Sequence, residues 1–133
     1  MYEKPLPHID DLNRPYWEAA KRHELVLQRC DSCGHYRYPA GLSCPACLSD
    51  KLRWVKVSGR GTVYTWTVIH QLYHPAFTAD LPYAVVAVEL AEGPRMNTSL
   101  TACKIEDIRV GMPVEVVFDD VTEVMTLPRF RPR

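Results

Sequence analysis

From Leu52 onward, apolar and polar residues follow a period of two, the pattern of half-buried β-strands. Leu52–Val57 alternates apolar and polar residues, and Thr62–Ile69 is rich in β-branched and aromatic residues. Tyr83–Leu90 is the strongest candidate for a buried strand, because a proline-rich loop precedes it and a glycine turn follows it. Two further strands are predicted at Arg95–Ala102 and Val114–Phe118. The second half of the chain is therefore expected to be a β domain.

The order of these strands and their connections predicts the kind of β domain. A last short strand falls near Val121–Met125 or Pro128–Phe130, and Ile105–Val110 reads as a short turn or helical stretch. The segment Ser58-Gly59-Arg60-Gly61 is a glycine-flanked turn or bulge between two strands. Five or six strands with one connecting element favour a small Greek-key barrel of the OB type, and a partly open β-sandwich is the alternative.

Residues 1–24 read as an extended, proline-rich arm followed by a short helical segment, with a break into two short helices before Tyr16 as the alternative. Asp10 or Asp11 is the expected helix cap, and Pro15 suits the first turn of a helix that continues through Arg22. Side chains at three- and four-residue spacing form one face of this helix: Tyr16, Ala20 and His23, with Trp17 adjoining. Because the helix is short and only partly amphipathic, we expect it to pack against another element or another chain.

Two Cys-x-x-Cys pairs, Cys30/Cys33 and Cys44/Cys47, lie between the helix and the barrel strands. Two knuckles joined by a short hairpin bring four thiolates together as a tetrahedral site, which suits a structural zinc ion. A single iron also accepts four thiolates, so the spacing leaves iron open. Since all four positions are taken by sulfur, the metal is expected to build structure and to do no chemistry. The predicted zinc ribbon covers residues 25–50, and the predicted OB-fold domain covers residues 51–133.

Disulfide bonds are the competing interpretation of the cysteines. The first ten residues are polar and proline-rich and lack the apolar core of a signal peptide. The apolar runs have the length of strands and are too short to cross a bilayer, so no membrane association is expected. These features predict a cytoplasmic, reducing location, where paired Cys-x-x-Cys motifs usually bind metal. A redox dithiol is disfavoured because two pairs occur at the spacing of a ribbon.

The charge balance limits the classes of partner. The 133 residues include 16 basic and 16 acidic side chains, so the formal net charge is zero. A polyanion partner would require a basic surface, and nucleic acid is therefore not expected as the main partner. Apart from the cysteines, no group of residues has the order or spacing of a catalytic site, and the chain is not expected to be an enzyme.

Several motifs together resemble one known family. They run in order along the chain: Leu25-Val26-Leu27-Gln28-Arg29-Cys30-Asp31-Ser32-Cys33-Gly34, Cys44-Pro45-Ala46-Cys47, Ser58-Gly59-Arg60-Gly61-Thr62-Val63-Tyr64 and Pro128-Arg129-Phe130. This series is similar to the acyl-CoA-associated zinc-ribbon/OB-fold family, long catalogued as a domain of unknown function. The resemblance runs from about Asp11 to Arg131, and the glycine turn and the terminal Pro-Arg-Phe make it specific.

The resemblance implies a mainly β protein with an N-terminal helical segment, a rubredoxin-like zinc ribbon and a C-terminal OB-fold. It further implies a non-catalytic accessory subunit of a thiolase-like or lipid-transfer-protein-type enzyme that makes or breaks carbon–carbon bonds of acyl-CoA thioesters. Contact with acyl-CoA is expected at the shared interface. The family's four cysteines correspond to Cys30, Cys33, Cys44 and Cys47, and no catalytic residue is implied.

Two other functions stay open at this point. A stand-alone acyl-CoA or lipid carrier would need an apolar pocket, which a five-stranded barrel filled by its own side chains lacks. A single-stranded nucleic-acid binder would use strand aromatics such as Tyr64, Trp66 and Tyr83, but the balanced charge leaves no basic groove.

Overall fold

A computed structural model describes residues 2–133 and has one α-helix ahead of eight β-strands. The elements are α1 (Arg14–Lys21), β1 (Val26–Cys30), β2 (Tyr36–Arg37), β3 (Leu52–Lys56), β4 (Arg60–Ile69), β5 (Tyr83–Leu90), β6 (Arg95–Thr98), β7 (Pro113–Asp120) and β8 (Thr126–Pro132). Two 3-10 helices, Pro75–Asp80 and Ile105–Asp107, lie in the connections before β5 and before β7. The predicted fold class, mainly β with a short helix, a ribbon and a barrel, is confirmed.

The helix begins at Arg14, four residues after Asp10, the first of the two predicted caps. Its N-cap is Asn13, whose side chain does not cap the helix, and Pro15 lies in the first turn as expected. Asp10 instead forms two hydrogen bonds with Asn13. Asp10 N–H donates to Asn13 Oδ1 at 2.8 Å, and Asn13 N–H donates to Asp10 Oδ1 at 2.9 Å. The aspartate therefore closes a turn ahead of the helix, because its carboxylate is used by Asn13 and not by the first helical turn. Tyr16 and Ala20 are buried as predicted.

The ribbon is a three-stranded antiparallel sheet in the order β2-β1-β3. β3 lies within the segment that the periodicity grouped with the barrel strands, yet it pairs with β1 along its whole length, with Leu27 opposite Val55. The short strand β2 pairs on the other side of β1, with Gln28 opposite Arg37. The first knuckle therefore leaves the sheet at Cys30, the last residue of the central strand.

The barrel is a five-stranded antiparallel sheet in the order β6-β5-β4-β7-β8. A register shift between Val63 and Thr65 bends β4, which pairs with β5 along its length and with β7 only over Arg60–Thr62. The two edges meet where Leu100 and Phe130 form a parallel bridge. Phe130 N–H donates to Ser99 O at 3.1 Å, and Thr101 N–H donates to Phe130 O at 2.7 Å. This closure gives the curled half-barrel of an OB-fold.

The barrel interior is filled by its own side chains. Six of the fully or almost fully buried residues come from its strands: Val63, Val86, Val88, Leu90, Val114 and Phe130. They belong to one apolar cluster that also contains Tyr16, Leu25 and Leu27 from the helix and the ribbon. The helix, ribbon and barrel therefore share a single core. Within residues 2–133, no helix is both long enough and apolar enough to cross a membrane.

Candidate metal centre

The four cysteines that the sequence singled out come together at one end of the ribbon. Their Sγ atoms all lie within 4.8 Å of one another. Two of these separations are 3.6 Å, between Cys30 and Cys47 and between Cys33 and Cys44. Metal–sulfur bonds of about 2.3 Å in a tetrahedron require sulfur atoms about 3.8 Å apart, so the four thiols fit a tetrahedral ion. Cys30 and Cys44 are buried, and Cys33 and Cys47 are exposed.

The two knuckles have the same backbone geometry although their sequences differ. In the first, Gly34 N–H donates to Cys30 O at 2.9 Å, and Gly34 has a φ of 79°. In the second, Leu48 N–H donates to Cys44 O at 2.8 Å, and Leu48 has a φ of 65°. Left-handed backbone is costly for leucine, and its side chain, 80% exposed, gains no burial in return. The turn around Cys44 and Cys47 therefore imposes this conformation on Leu48.

Backbone N–H groups in each knuckle point at sulfur. The N–H of Cys33 is the largest cause that lowers the pKa of Cys30 to about 6, against the opposing effect of burial. Burial raises the pKa of Cys44, but the N–H groups of Cys47 and Ala46 outweigh it, and Ala46 N lies 3.4 Å from Cys44 Sγ. These dipoles stabilise thiolate, the form of cysteine that binds metal.

The other two thiols show the cost of gathering sulfur without a cation. The pKa of Cys33 is raised to about 12, although the N–H of His35 lowers it, because burial and the neighbouring sulfurs of Cys44, Cys47 and Cys30 raise it. Four thiolates this close repel one another, and a divalent cation among them removes that repulsion. The donor set and its backbone dipoles therefore fit a metal ion.

Two arginines that the sequence reasoning did not single out support the knuckles. Arg29 Nε donates to Gly34 O at 3.2 Å, and its guanidinium lies 5.0 Å from the centre of the Tyr36 ring. Arg37 Nη1 donates to Ser43 O at 2.6 Å, directly before the second knuckle. The sequence does place each of these arginines in a ribbon strand next to a knuckle. Strand position alone, however, does not reveal which backbone carbonyl a guanidinium contacts.

Comparison with known proteins identifies the architecture. Residues 17–53 match the family model described as "ChsH2, rubredoxin-like zinc ribbon domain", and residues 54–119 match "ChsH2, C-terminal OB-fold domain". The chain belongs to the ChsH2/DUF35 family. The resemblance found in the sequence is confirmed, and this family's zinc-ribbon module contains the four-cysteine cluster.

Two relatives and one solved structure show what the chain is similar to. The chain is 42% identical over 129 residues to a "Probable enoyl-CoA hydratase alpha subunit" of Thermomonospora curvata, covering 97% of this chain but only 40% of that longer protein. It is 35% identical to a "DUF35 domain-containing scaffold protein" of Methanocaldococcus jannaschii, covering 83% of this chain and 78% of the relative. A solved structure described as "Ltp2-ChsH2(DUF35) aldolase" aligns with a TM-score of 0.85 at 42% identity, over 96% of this chain and 98% of that one.

Proposed function

We propose that this chain is a non-catalytic, zinc-binding accessory subunit of an acyl-CoA enzyme complex. The observation that carries the proposal is the likeness to the chain in the aldolase structure, which extends over nearly the whole length of both chains. The scaffold and hydratase-subunit descriptions of the other relatives support the same role. The proposed partner is a thiolase-like or lipid-transfer-protein-type enzyme that forms or cleaves carbon–carbon bonds of acyl-CoA thioesters, with CoA held at the shared interface.

The four-cysteine site supports a structural, non-catalytic role for this chain. The four cysteines proposed as metal ligands, Cys30, Cys33, Cys44 and Cys47, would fill a tetrahedral site and leave no position for water or substrate. A bound zinc ion would thus supply folding free energy and no Lewis-acid chemistry. The proposed division of the chain is an arm and helix over residues 1–24, the ribbon with its two knuckles over 25–50 and the OB-fold over 51–133, with β3 at the start of the last part completing the ribbon sheet. A cytoplasmic location is proposed with it, since paired Cys-x-x-Cys motifs usually bind metal in a reducing compartment.

The contacts of His23 and Asp120 do not form a nucleophilic dyad. His23 Nε2 lies 3.0 Å from both carboxylate oxygens of Asp120, but the nearby hydroxyl of Thr126 donates to Asp120 and not to His23. A serine- or threonine-type mechanism needs the hydroxyl to donate to the histidine. The pair therefore joins two elements and activates no nucleophile, which supports placing catalysis in the partner.

The proposal is tested by capture of the affinity-tagged chain from the cytosol of its own organism, followed by mass spectrometry and acyl-CoA assays. We expect an acyl-CoA enzyme at near-equal stoichiometry, carbon–carbon bond cleavage or formation by the captured complex, and no turnover by the tagged chain alone. The matched control is the exposed variant Arg60→Ala, which should capture the same partner. Robust acyl-CoA turnover by the purified chain, or recovery of the chain without any enzyme, would overturn the proposal.

A further inference from the structure

A cavity of about 640 Å³ lies outside the filled barrel, between the amino-terminal arm and the sheet. Four parts of the chain line it: the arm, the 3-10 helix before β5, the start of β5, and residues 97–101 after the middle of β6 together with β8. None of the four cysteines lines it. Its volume falls within the range of small-molecule sites.

The arm is one wall of this cavity and is built as a strap. Tyr2 and Lys4 are half-buried and line the cavity together with the more exposed Pro5 and Pro7, whereas Glu3 is exposed and does not line it. The reciprocal hydrogen bonds of Asp10 and Asn13 fix the base of the arm just ahead of α1. Two prolines between the base and Lys4 stiffen the arm, because the ring of proline fixes φ.

A latch holds the strap at Lys4. Lys4 Nζ lies 2.5 Å from Asp80 Oδ2 and 5.3 Å from the centre of the Phe77 ring. Both partners belong to the 3-10 helix before β5, and Phe77 packs at 5.7 Å against Tyr83 at the start of that strand. A partly exposed ion pair and a cation–π contact are each weak, so this latch opens far more easily than the core.

The chemistry of the walls selects the ligand. Both cations in the lining are already compensated: Lys4 by Asp80, and Arg129 by Asp119, whose Oδ2 lies 2.8 Å from the arginine Nε. Arg129 also donates to Ser99 Oγ at 2.9 Å. A cavity without net charge gives no preference for a phosphate or a carboxylate. The remaining lining combines apolar side chains with hydroxyl groups: Tyr83, Val85, Leu100 and Leu127 with Thr98 and Thr101.

We propose that this cavity binds a neutral, largely apolar molecule with a hydroxyl or carbonyl oxygen, and that the amino-terminal arm is the strap that closes over it. The apolar wall would bury the body of the ligand. Ser99 Oγ, which accepts from Arg129, would donate to a ligand carbonyl, and the hydroxyls of Thr98 and Thr101, which donate to backbone carbonyls, would accept from a ligand hydroxyl. The inference is independent of the proposed partner, because every residue of the site belongs to this chain.

The test uses the full chain and Nile red, a neutral dye with a carbonyl group whose emission shifts to the blue in an apolar site. We expect saturable binding at one dye per chain. Lys4→Met should speed release of the dye about two- to fivefold, since it removes one weak ion pair and one cation–π contact. The control Lys56→Met removes a similar exposed ion pair on the ribbon, with Glu24, and should leave release unchanged.

Two variants test the location of the site. Leu127→Arg places a charge in the apolar wall and should abolish saturable binding. Val85→Trp fills the cavity from a strand position whose side chain is 36% exposed, and it should also abolish binding without burying a charge. Folding of each variant is checked by circular dichroism. Binding that does not saturate, or that persists in whichever of the two variants folds, would overturn the proposal, while partner capture would be unaffected.

Discussion

His23 and Asp120 join the end of the helical segment to the end of β7, with the imidazole Nε2 3.0 Å from both carboxylate oxygens. The His23 ring stacks on Phe118 at 5.3 Å, nearly parallel, and Thr126 Oγ1 donates to Asp120 at 2.5 Å. His23 has a φ of 61° just after the helix, where glycine is usual. Glycine would relieve the backbone but lose these contacts, so the histidine side chain adds a polar link between the helix end and the barrel to the packing of the shared core.

The first prediction concerns acid stability. The hydroxyl of Thr126, and then His23, lower the pKa of Asp120 below the usual carboxyl range. A carboxyl whose pKa is depressed by folding stabilises the native state above its unfolded pKa, and this contribution is lost as the pH falls through the depressed value. We therefore expect Asp120→Asn to lower the urea midpoint at neutral pH, with a loss that shrinks as the pH falls toward the depressed pKa.

The control for this measurement is Asp119→Asn, which removes an adjacent carboxylate that binds Arg129 and not His23. His23→Gly combined with Asp120→Asn should show non-additive losses at neutral pH, because both single variants break the same contact. A stability difference between wild type and Asp120→Asn that does not shrink as the pH is lowered from neutral would contradict the assigned role.

The second prediction concerns the cysteine cluster. Cys44→Ser should abolish stoichiometric metal binding and unfold the helix and barrel together with the ribbon, because one apolar cluster joins all three. Structural zinc contributes about 10–16 kcal/mol in ribbon-sized peptides, which matches or exceeds the whole stability of a small domain, about 5–15 kcal/mol. Metal content and near-ultraviolet circular dichroism measure the two effects. Cys103→Ser, at the cysteine outside the cluster, should retain metal and fold.

The third prediction distinguishes zinc from iron. We expect one zinc per chain by elemental analysis and no absorption in the visible region, since zinc has a filled d shell. A chelator should remove the ion slowly and cause loss of native near-ultraviolet signal. A red protein with one iron per chain would refute the zinc assignment but leave the four-thiolate site intact.

The fourth prediction concerns the glycine turn before β4. Gly59 has a φ of 74°, and a Cβ there would collide with Val116 Cγ1. A Cβ on Gly61 would lie 2.5 Å from Glu89 O, a backbone atom that cannot move aside easily. Each alanine substitution should therefore cost about 1–3 kcal/mol in thermal or urea unfolding.

Arg60 lies between these two glycines and supplies their control, because its side chain is exposed. Arg60→Ala should change stability by about 0.5 kcal/mol or less. If the two glycine variants unfold with the wild-type midpoint, then the close approach of β4 to β5 at Gly61 and the left-handed turn at Gly59 do not limit stability.

The positions of β3 and β8 show where sequence periodicity stops being informative. Alternation at Leu52–Val57 correctly predicted a strand, but β3 pairs with β1 of the ribbon. The last strand is Thr126–Pro132, so Val121–Met125 is a turn and the Pro128–Phe130 alternative was the right one. Period two reports which side chains face a core, but backbone hydrogen-bonding groups are the same in every strand and do not encode the partner.

The sequence by itself was enough to predict the four-cysteine cluster, the mainly β fold and the glycine turn, because each depends on residues close together in the chain. Ligand spacing, strand period and the need for glycine at Gly59 are local properties. Only the tertiary structure decided that Leu100 meets Phe130 to close the barrel, that His23 reaches Asp120, and that Lys4 closes a cavity against Asp80. These contacts join residues far apart in sequence, and they form only after the shared core has folded and brought their elements together.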